Sequence, residues 1–269
     1  MSELACLDGA IGPAGETLIP VTDEGLLRGD GAFEVVRVYA GTPLALGEHF
    51  DRMERSVANL RLEGPLDRER YEAELAELVA ARGGDSYDGC VRLALTRGGR
   101  RLLITEPMPW TPDLPRLGAV TYAPSRTLDG VKSLSYAANM LCTRIACERG
   151  FDEALLTTPH GRVLEAPTAS LFWVDGDGRL CTPPLDDHVL ASITRAHLLE
   201  LLDVDERSVA LDELQREARE AFLASTTREV QGVAAIEQRE LDAPGEVTRA
   251  AAVAFARRRD ELLAAARGG

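Results

Sequence analysis

Lysine is all but missing from this chain. Lys132 is the one lysine among 30 basic residues, and every other is arginine. A guanidinium serves as a solvated surface cation as well as an ammonium does, but it stays protonated and cannot act as a nucleophile at physiological pH. Lysine-amine chemistry is therefore excluded at every position except 132. Cysteine is scarce too. Cys6, Cys90, Cys142, Cys147 and Cys181 are odd in number and form no CxxC pair, so they read as reduced, mostly buried cytosolic thiols rather than a disulfide framework or a zinc site. The four histidines, His49, His160, His188 and His197, show no metal-ligand spacing. No apolar run reaches the roughly 18 residues a membrane span needs. The opening "MSELACLDGA" has neither a basic n-region nor a long apolar stretch, so a signal peptide is not expected and a cytoplasmic location is. A net charge of −14 argues against the positive footprint of non-specific nucleic-acid binding. No GxGxxG or GxxxxGK[ST] falls in a strand-to-helix setting, which disfavours a nucleotide site.

What is present is a mixed pattern. "GAFEVVRVYAG" (31–41) is β-branched and bounded by glycines, which predicts a strand. Residues 47–62 place Phe50, Met53, Val57 and Leu60 on one helical face, and 67–82 predict a second, highly charged helix. Residues 89–99 and 101–105 predict a strand pair. "EPMPWTPDLP" (106–115) holds four prolines in ten residues, which predicts a linker. Beyond it come a strand at "GAVTYAP", a helix over 133–150 with a Gly stop, and strands at "DEALLTT", "ASLFWV" and "GRLCTPP". A helix over 192–202, strands at "EAFLAST" and "EVQGVAAI", and a closing helix over about 245–266 complete the reading. The expected fold class is α+β: a small N-terminal domain (1–110), a Pro-rich linker (111–116) and a larger C-terminal domain (117–269). Clefts between such lobes are common ligand sites.

A lysine amine can form a Schiff base with an aldehyde cofactor and can shuttle protons. A lysine surviving by chance on the surface would give the same count, so its neighbours decide. The segment around it resembles the core of the class IV aminotransferases, the fold-type IV pyridoxal-phosphate enzymes. That group includes D-amino acid and branched-chain aminotransferases and aminodeoxychorismate lyase. "GVKSLSY", "GFDEALLTTPHGRVLEAPTASLF", "LASITR" and "FLASTTREVQGV" follow the family's order, and "RGDGAFEVVRVYAG" and "EHFDRMERS" match upstream. The resemblance covers roughly residues 20 to 235.

It implies a two-domain, D-amino acid aminotransferase-like fold and pyridoxal 5'-phosphate as cofactor, with Lys132 as its Schiff-base lysine. Glu165 is implied as the carboxylate that keeps the ring nitrogen protonated; the competing reading is a strand-end Glu facing solvent. Ser192, Ile193 and Thr194 open a helix, whose N-terminus offers free N–H groups to the cofactor phosphate. Ser225 and Thr226 join them, and Arg52 matches the phosphate-binding arginine. Arg52 follows His49 by three residues, on one helical face; by itself it could be an ordinary surface arginine. Tyr136 is implied at the cofactor's phenolic oxygen, or else as a buried Tyr partnered elsewhere. Two positions depart from the family: Ser170 stands where Asn is usual, and Ser192 where Gly is usual.

Phe33, Arg37 and Arg92 point alternately along small-domain strands and match pocket positions, with Thr227 on the substrate side. "TRGGRRLL" lacks the histidine of the D-amino acid enzymes but offers Arg100 and Arg101, able to clamp a carboxylate or to lie in a solvated turn. The implied reaction is ping-pong transamination between an amino acid, of D- or branched-chain type, or an amine, and a 2-oxo acid. Aminodeoxychorismate lyase is the runner-up. The resemblance implies a homodimer whose neighbouring subunit closes the pocket, with no nucleic-acid, membrane or metal partner.

Overall fold

In the computed structural model, which describes residues 2–63 and 66–268, two units form from interleaved segments. The first holds the chain up to Pro109, then Gly130–Tyr136, then the end of the last helix from Arg259; the second holds Trp110–Asp129 and Ala137–Arg258.

The first unit begins with a hairpin, β1 (Leu4–Leu7) and β2 (Ala10–Pro13). Helix α1 (Glu24–Arg28) follows; Asp23 caps it by accepting the Gly25 N–H, and Gly29 ends it in the left-handed region at φ 66°. Then come β3 (Gly31–Tyr39), β4 (Thr42–Pro43), α2 (Leu46–Asn59), α3 (Arg68–Arg82), β5 (Gly89–Thr96) and β6 (Arg101–Glu106). The strands make one antiparallel sheet in the order β2-β1-β6-β5-β3-β4. Side chains alternate across a strand. Ala32, Val36 and Val38 of β3, with Val91 and Leu93 of β5, therefore meet Phe50, Met53 and Val57 of α2 and Tyr71, Leu75 and Leu78 of α3 in a single core. Phe33, Val35 and Arg37 take the other face. Arg92, the register partner of Val35, joins them there, so the three pocket candidates of this sheet share one side.

The sequence pattern starts a helix at 133, but the backbone there is already engaged. Phe33 N–H donates to the Lys132 carbonyl (3.0 Å), Leu134 N–H to Gly31 (2.8 Å), and Ser133 bridges Ala32. Residues 132–134 thus extend the β3 edge, and the helix begins only at Ala137. For the same reason Lys132 clusters with the first unit, although it follows the linker in sequence.

The second unit contains β7 (Arg116–Thr121), α4 (Ala137–Glu148), β8 (Glu153–Thr157), β9 (Ser170–Val174), β10 (Leu180–Thr182) and α5 (Ile193–Leu201). After them come β11 (Val204–Glu206), α6 (Leu211–Glu217), β12 (Glu220–Ser225), β13 (Glu229–Gly232), β14 (Ala235–Ile236), β15 (Arg239–Glu240) and α7 (Glu246–Gly268). Two sheets result, β11-β10-β9-β12-β13 and β15-β14-β7-β8. β9 shows why its run "SLFWV" is apolar throughout. Leu171 and Trp173 enter the core shared with Leu117, Leu155 and Ile236 of the other sheet, while Phe172 and Val174 pack with Leu198 of α5 and Phe255 of α7. Phe172 stacks on Phe222 at 4.8 Å, and burying each such ring stabilises by roughly 1.5–3 kcal/mol relative to exposure.

The five cysteines are free, with only Cys147 exposed. Among the described residues no His/Cys/Asp/Glu cluster could hold a metal ion, and no helix is long and apolar enough to cross a membrane.

Candidate active site

Phe33 is the hub of the first unit's polar cluster. Lys132 Nζ stands 4.6 Å from the Phe33 ring centroid and 5.8 Å from that of Tyr136. The two rings meet edge to face at 5.4 Å and 86°. Arg92 adds its guanidinium carbon at 5.2 Å from the Phe33 centroid and is itself held by Glu106 through two bonds of 2.6 and 3.0 Å. Lys132, Tyr136, Phe33 and Arg92 are therefore brought together. Two glycines permit this closeness. A Cβ on Gly31 would lie 2.5 Å from the Leu95 carbonyl oxygen and 2.7 Å from Leu134, and Gly29, at positive φ, faces Ser135.

The other face of β3 carries a buried ionic network. Glu34 is fully buried and accepts from Arg52 Nε and Nη2, both at 2.6 Å, in a bidentate pair. His49 Nδ1 lies 2.7 Å from the same carboxylate. Burial would raise the Glu34 pKa, but the charge and hydrogen bonds of Arg52, with His49, override it and hold it at about 2. His49 is pushed below the ordinary imidazole value by burial, against the pull of Glu34; the Arg52 and Lys132 charges add to the lowering. Arg52 is thus a buried, paired cation rather than a surface arginine.

Arg37 and Arg100 are committed elsewhere. Arg37 is buried over the Tyr39 ring and bonds Asp88 and the carbonyls of Val38 and Gly89. Arg100 pairs with Asp8 at 2.8 Å, and its neighbour Arg101 pairs with Glu74.

In the second unit, Glu165 is half-buried, and its Oε1 accepts the Leu190 N–H at 3.0 Å. Tyr122 is pushed up by burial and by the nearby Glu165 charge. After Glu165 the chain makes a tight turn closed by the Ala166–Ala169 bridge. Helix α5 begins after Ser192, whose hydroxyl accepts the Arg195 N–H at 3.3 Å with φ −74° and ψ 134°. Those angles do not require glycine, and a serine cap is a favourable choice, so this departure from the family pattern fits locally. Ile193 and Thr194, buried, contribute first-turn amides that have no intrahelical acceptor.

Ser225, Thr226 and Thr227 make the β12–β13 turn. Ser225 Oγ lies 3.5 Å from Thr227 Oγ1 and accepts the Arg228 N–H. Ser170, the other departure, is buried on β9 and its hydroxyl has no hydrogen-bond partner among the described residues. An asparagine there would carry a longer polar group.

Sequence reasoning missed two features. Arg228 reaches under the turn to Glu153 (2.6 Å) and Thr168 (3.2 Å) as a buried pair. Ser56 bonds the Lys132 amide. His49, Arg52 and Ser56 recur at i, i+3 and i+7, and this polar stripe beside the apolar face of Phe50, Met53 and Val57 was the available signal.

The pattern of the family described as amino-transferase class IV matches residues 31–236. The D-alanine aminotransferase of Bacillus licheniformis is 29% identical over 265 residues, 90% of this chain and 92% of that protein. The bifunctional aminodeoxychorismate lyase / D-amino acid transaminase of Mycobacterium tuberculosis is 29% identical over 240 residues, 77% of this chain and 82% of that protein. Among solved structures, the branched-chain aminotransferase of Thermoproteus uzoniensis with norvaline superposes with a TM-score of 0.84 at 26% identity, covering 94% of this chain and 93% of that one.

Proposed function

Because the chain belongs to the class IV aminotransferase family and takes the fold-type IV fold, we propose that it is a pyridoxal 5'-phosphate enzyme that moves amino groups, with Lys132 as its reactive amine. The amino group passes between an amino acid of D- or branched-chain type, or an amine, and a 2-oxo acid. The observation that carries this reading is the setting of the only lysine, fixed at its backbone to β3 with its amine over Phe33 and Tyr136.

The residues present fit the cofactor. Its aldehyde needs one amine, and the chain has one lysine. Its phosphate needs N–H donors and a cation, which Ser192, Ile193 and Thr194, Ser225 and Thr226, and Arg52 would supply. Its ring nitrogen needs a carboxylate, for which Glu165 is the candidate. When bound, the cofactor supplies an electron sink for a carbanion at the substrate's α-carbon. Lys132 would hold the cofactor through its amine and, once free, would serve as the base and acid that moves the proton at the substrate's α-carbon. Tyr136 would hydrogen-bond the phenolic oxygen and steady the ring. Phe33 and Arg92 line the amine's surroundings and would receive the substrate, as would Thr227. Arg37 and Arg100 act on substrate only if they leave Asp88 and Asp8.

The family likeness also supports a homodimer in the cytoplasm, which light scattering and fractionation test. A lyase reading draws support from the bifunctional Mycobacterium tuberculosis relative. The deciding experiment is the visible spectrum of purified, cofactor-loaded protein with single D- and L-amino acids. Bleaching of the yellow band by one amino acid supports transamination and identifies the donor. A persistent band with pyruvate released from aminodeoxychorismate favours the lyase. A protein that takes up no pyridoxal phosphate overturns the reading.

A further inference from the structure

One member of the polar stripe on α2 has no part in the chemistry described so far. Ser56 is completely buried, and its hydroxyl makes two bonds. It donates to the Arg52 carbonyl one turn earlier (3.1 Å) and accepts the Lys132 N–H (3.0 Å). A serine hydroxyl has one proton, so giving it to Arg52 turns a lone pair towards Lys132. On its other side the Lys132 carbonyl accepts the Phe33 N–H at 3.0 Å. Both peptide groups of the lysine are therefore held, one by a helix and one by a strand. Only the side chain is left to reach the Phe33 ring.

We propose that Ser56 is a positioning residue for Lys132: its hydroxyl sets where the lysine's root lies, and so where the amine stands. The inference rests on the reading of Lys132 as the Schiff-base lysine. Ser56 acts through that lysine and touches neither cofactor nor substrate. Without the hydroxyl the partly buried Lys132 N–H loses its acceptor, and the backbone at 131–132 is free to shift towards another. A displaced amine then meets an aldehyde in poor geometry, where misplacement of about 1 Å can cost up to a hundredfold in rate.

The chain's composition makes the test clean, because pyridoxal phosphate followed by borohydride can mark only Lys132 or the terminal amine. Wild type, Ser56→Ala, Ser56→Thr and Ser133→Ala are compared for the rate of adduct formation at Lys132, read by peptide mass. Each cofactor-free protein is also melted. Ser133 is a buried neighbour whose hydroxyl accepts the Ser135 N–H rather than that of Lys132. We expect Ser56→Ala to form the adduct about tenfold more slowly, as for one lost hydrogen bond, Ser56→Thr to recover most of the rate, and Ser133→Ala to match wild type. A wild-type rate in Ser56→Ala, or an equal loss in Ser133→Ala, overturns the proposal. Amide hydrogen exchange at Lys132 in the wild-type protein covers the case in which Ser56→Ala does not fold: protection supports the bond, and exchange at an unfolded rate refutes it. A wild-type protein with no adduct at Lys132 overturns the functional reading, and this inference with it.

Discussion

Replacing Glu34 by Gln removes one charge from the buried network and leaves its shape almost unchanged. Holding this carboxyl at about 2 rather than the ordinary 4.5 is worth about 3 kcal/mol at neutral pH by proton linkage. A second route gives a similar size. Glu34→Gln leaves the Arg52 cation buried opposite a neutral amide, and unpairing a buried charge typically costs about 3–5 kcal/mol. For a chain of this length the melting temperature should fall by roughly 6–12 °C. The sign with pH follows from the depressed value. The Glu34 contribution is fully present above the unfolded pKa of about 4.5 and is lost as pH falls towards 2. In a His49→Gln background, which removes the imidazole that Glu34 also pulls on, melts of cofactor-free proteins with and without Glu34→Gln should therefore differ by a constant amount from pH 8 to 5 and converge below. Other acids titrate in both proteins and largely cancel in the difference. A variant as stable as wild type at pH 7, or a gap that does not narrow in acid, would refute the reasoning.

Three further substitutions probe other parts of the fold. Ser170→Ala removes a buried hydroxyl that has no partner among the described residues, so urea unfolding should show a change within about 0.5 kcal/mol or a slight gain; a loss above about 2 kcal/mol would mean the hydroxyl is satisfied. Gly31→Ala drives a Cβ against the Leu95 carbonyl and Leu134 and should cost about 1–3 kcal/mol, with slower adduct formation at Lys132; unchanged melting and labelling would contradict the packing. Glu153→Gln unpairs buried Arg228 and should cost about 3–5 kcal/mol, with part of it recovered in the double variant Glu153→Leu with Arg228→Met; an additive second loss would show that the two act through their other partners, Thr143 and Thr168, rather than through each other.

Much of this was legible in the sequence because period and punctuation carry it. The α2 stripe Phe50, Met53 and Val57 faces the core as its spacing predicts, and the glycine-bounded run at 31–41 is a strand. Lys132 stood out by composition alone. Less legible was anything decided by pairing between distant segments. The helix forecast from 133 begins four residues late because β3 captures the backbone of 133 and 134, and no local propensity encodes that capture. The arginines show the same limit. Arg37, Arg92 and Arg100 look alike in sequence, yet only Arg92 sits against Phe33, the others being taken by Asp88 and Asp8. Arg52 was picked out as a cation, but its buried Glu34 partner lies 18 residues away on another element.

The most direct test of the central claim is to find the residue that carries the cofactor. Wild type and Lys132→Arg are incubated with pyridoxal phosphate, reduced with borohydride, digested and analysed by peptide mass. The assignment of Lys132 predicts one reduced pyridoxyl group on the wild-type peptide containing residue 132, and none on the corresponding peptide of a folded Lys132→Arg protein. An adduct confined to the terminal amine, or no adduct in a folded wild-type protein, would contradict it.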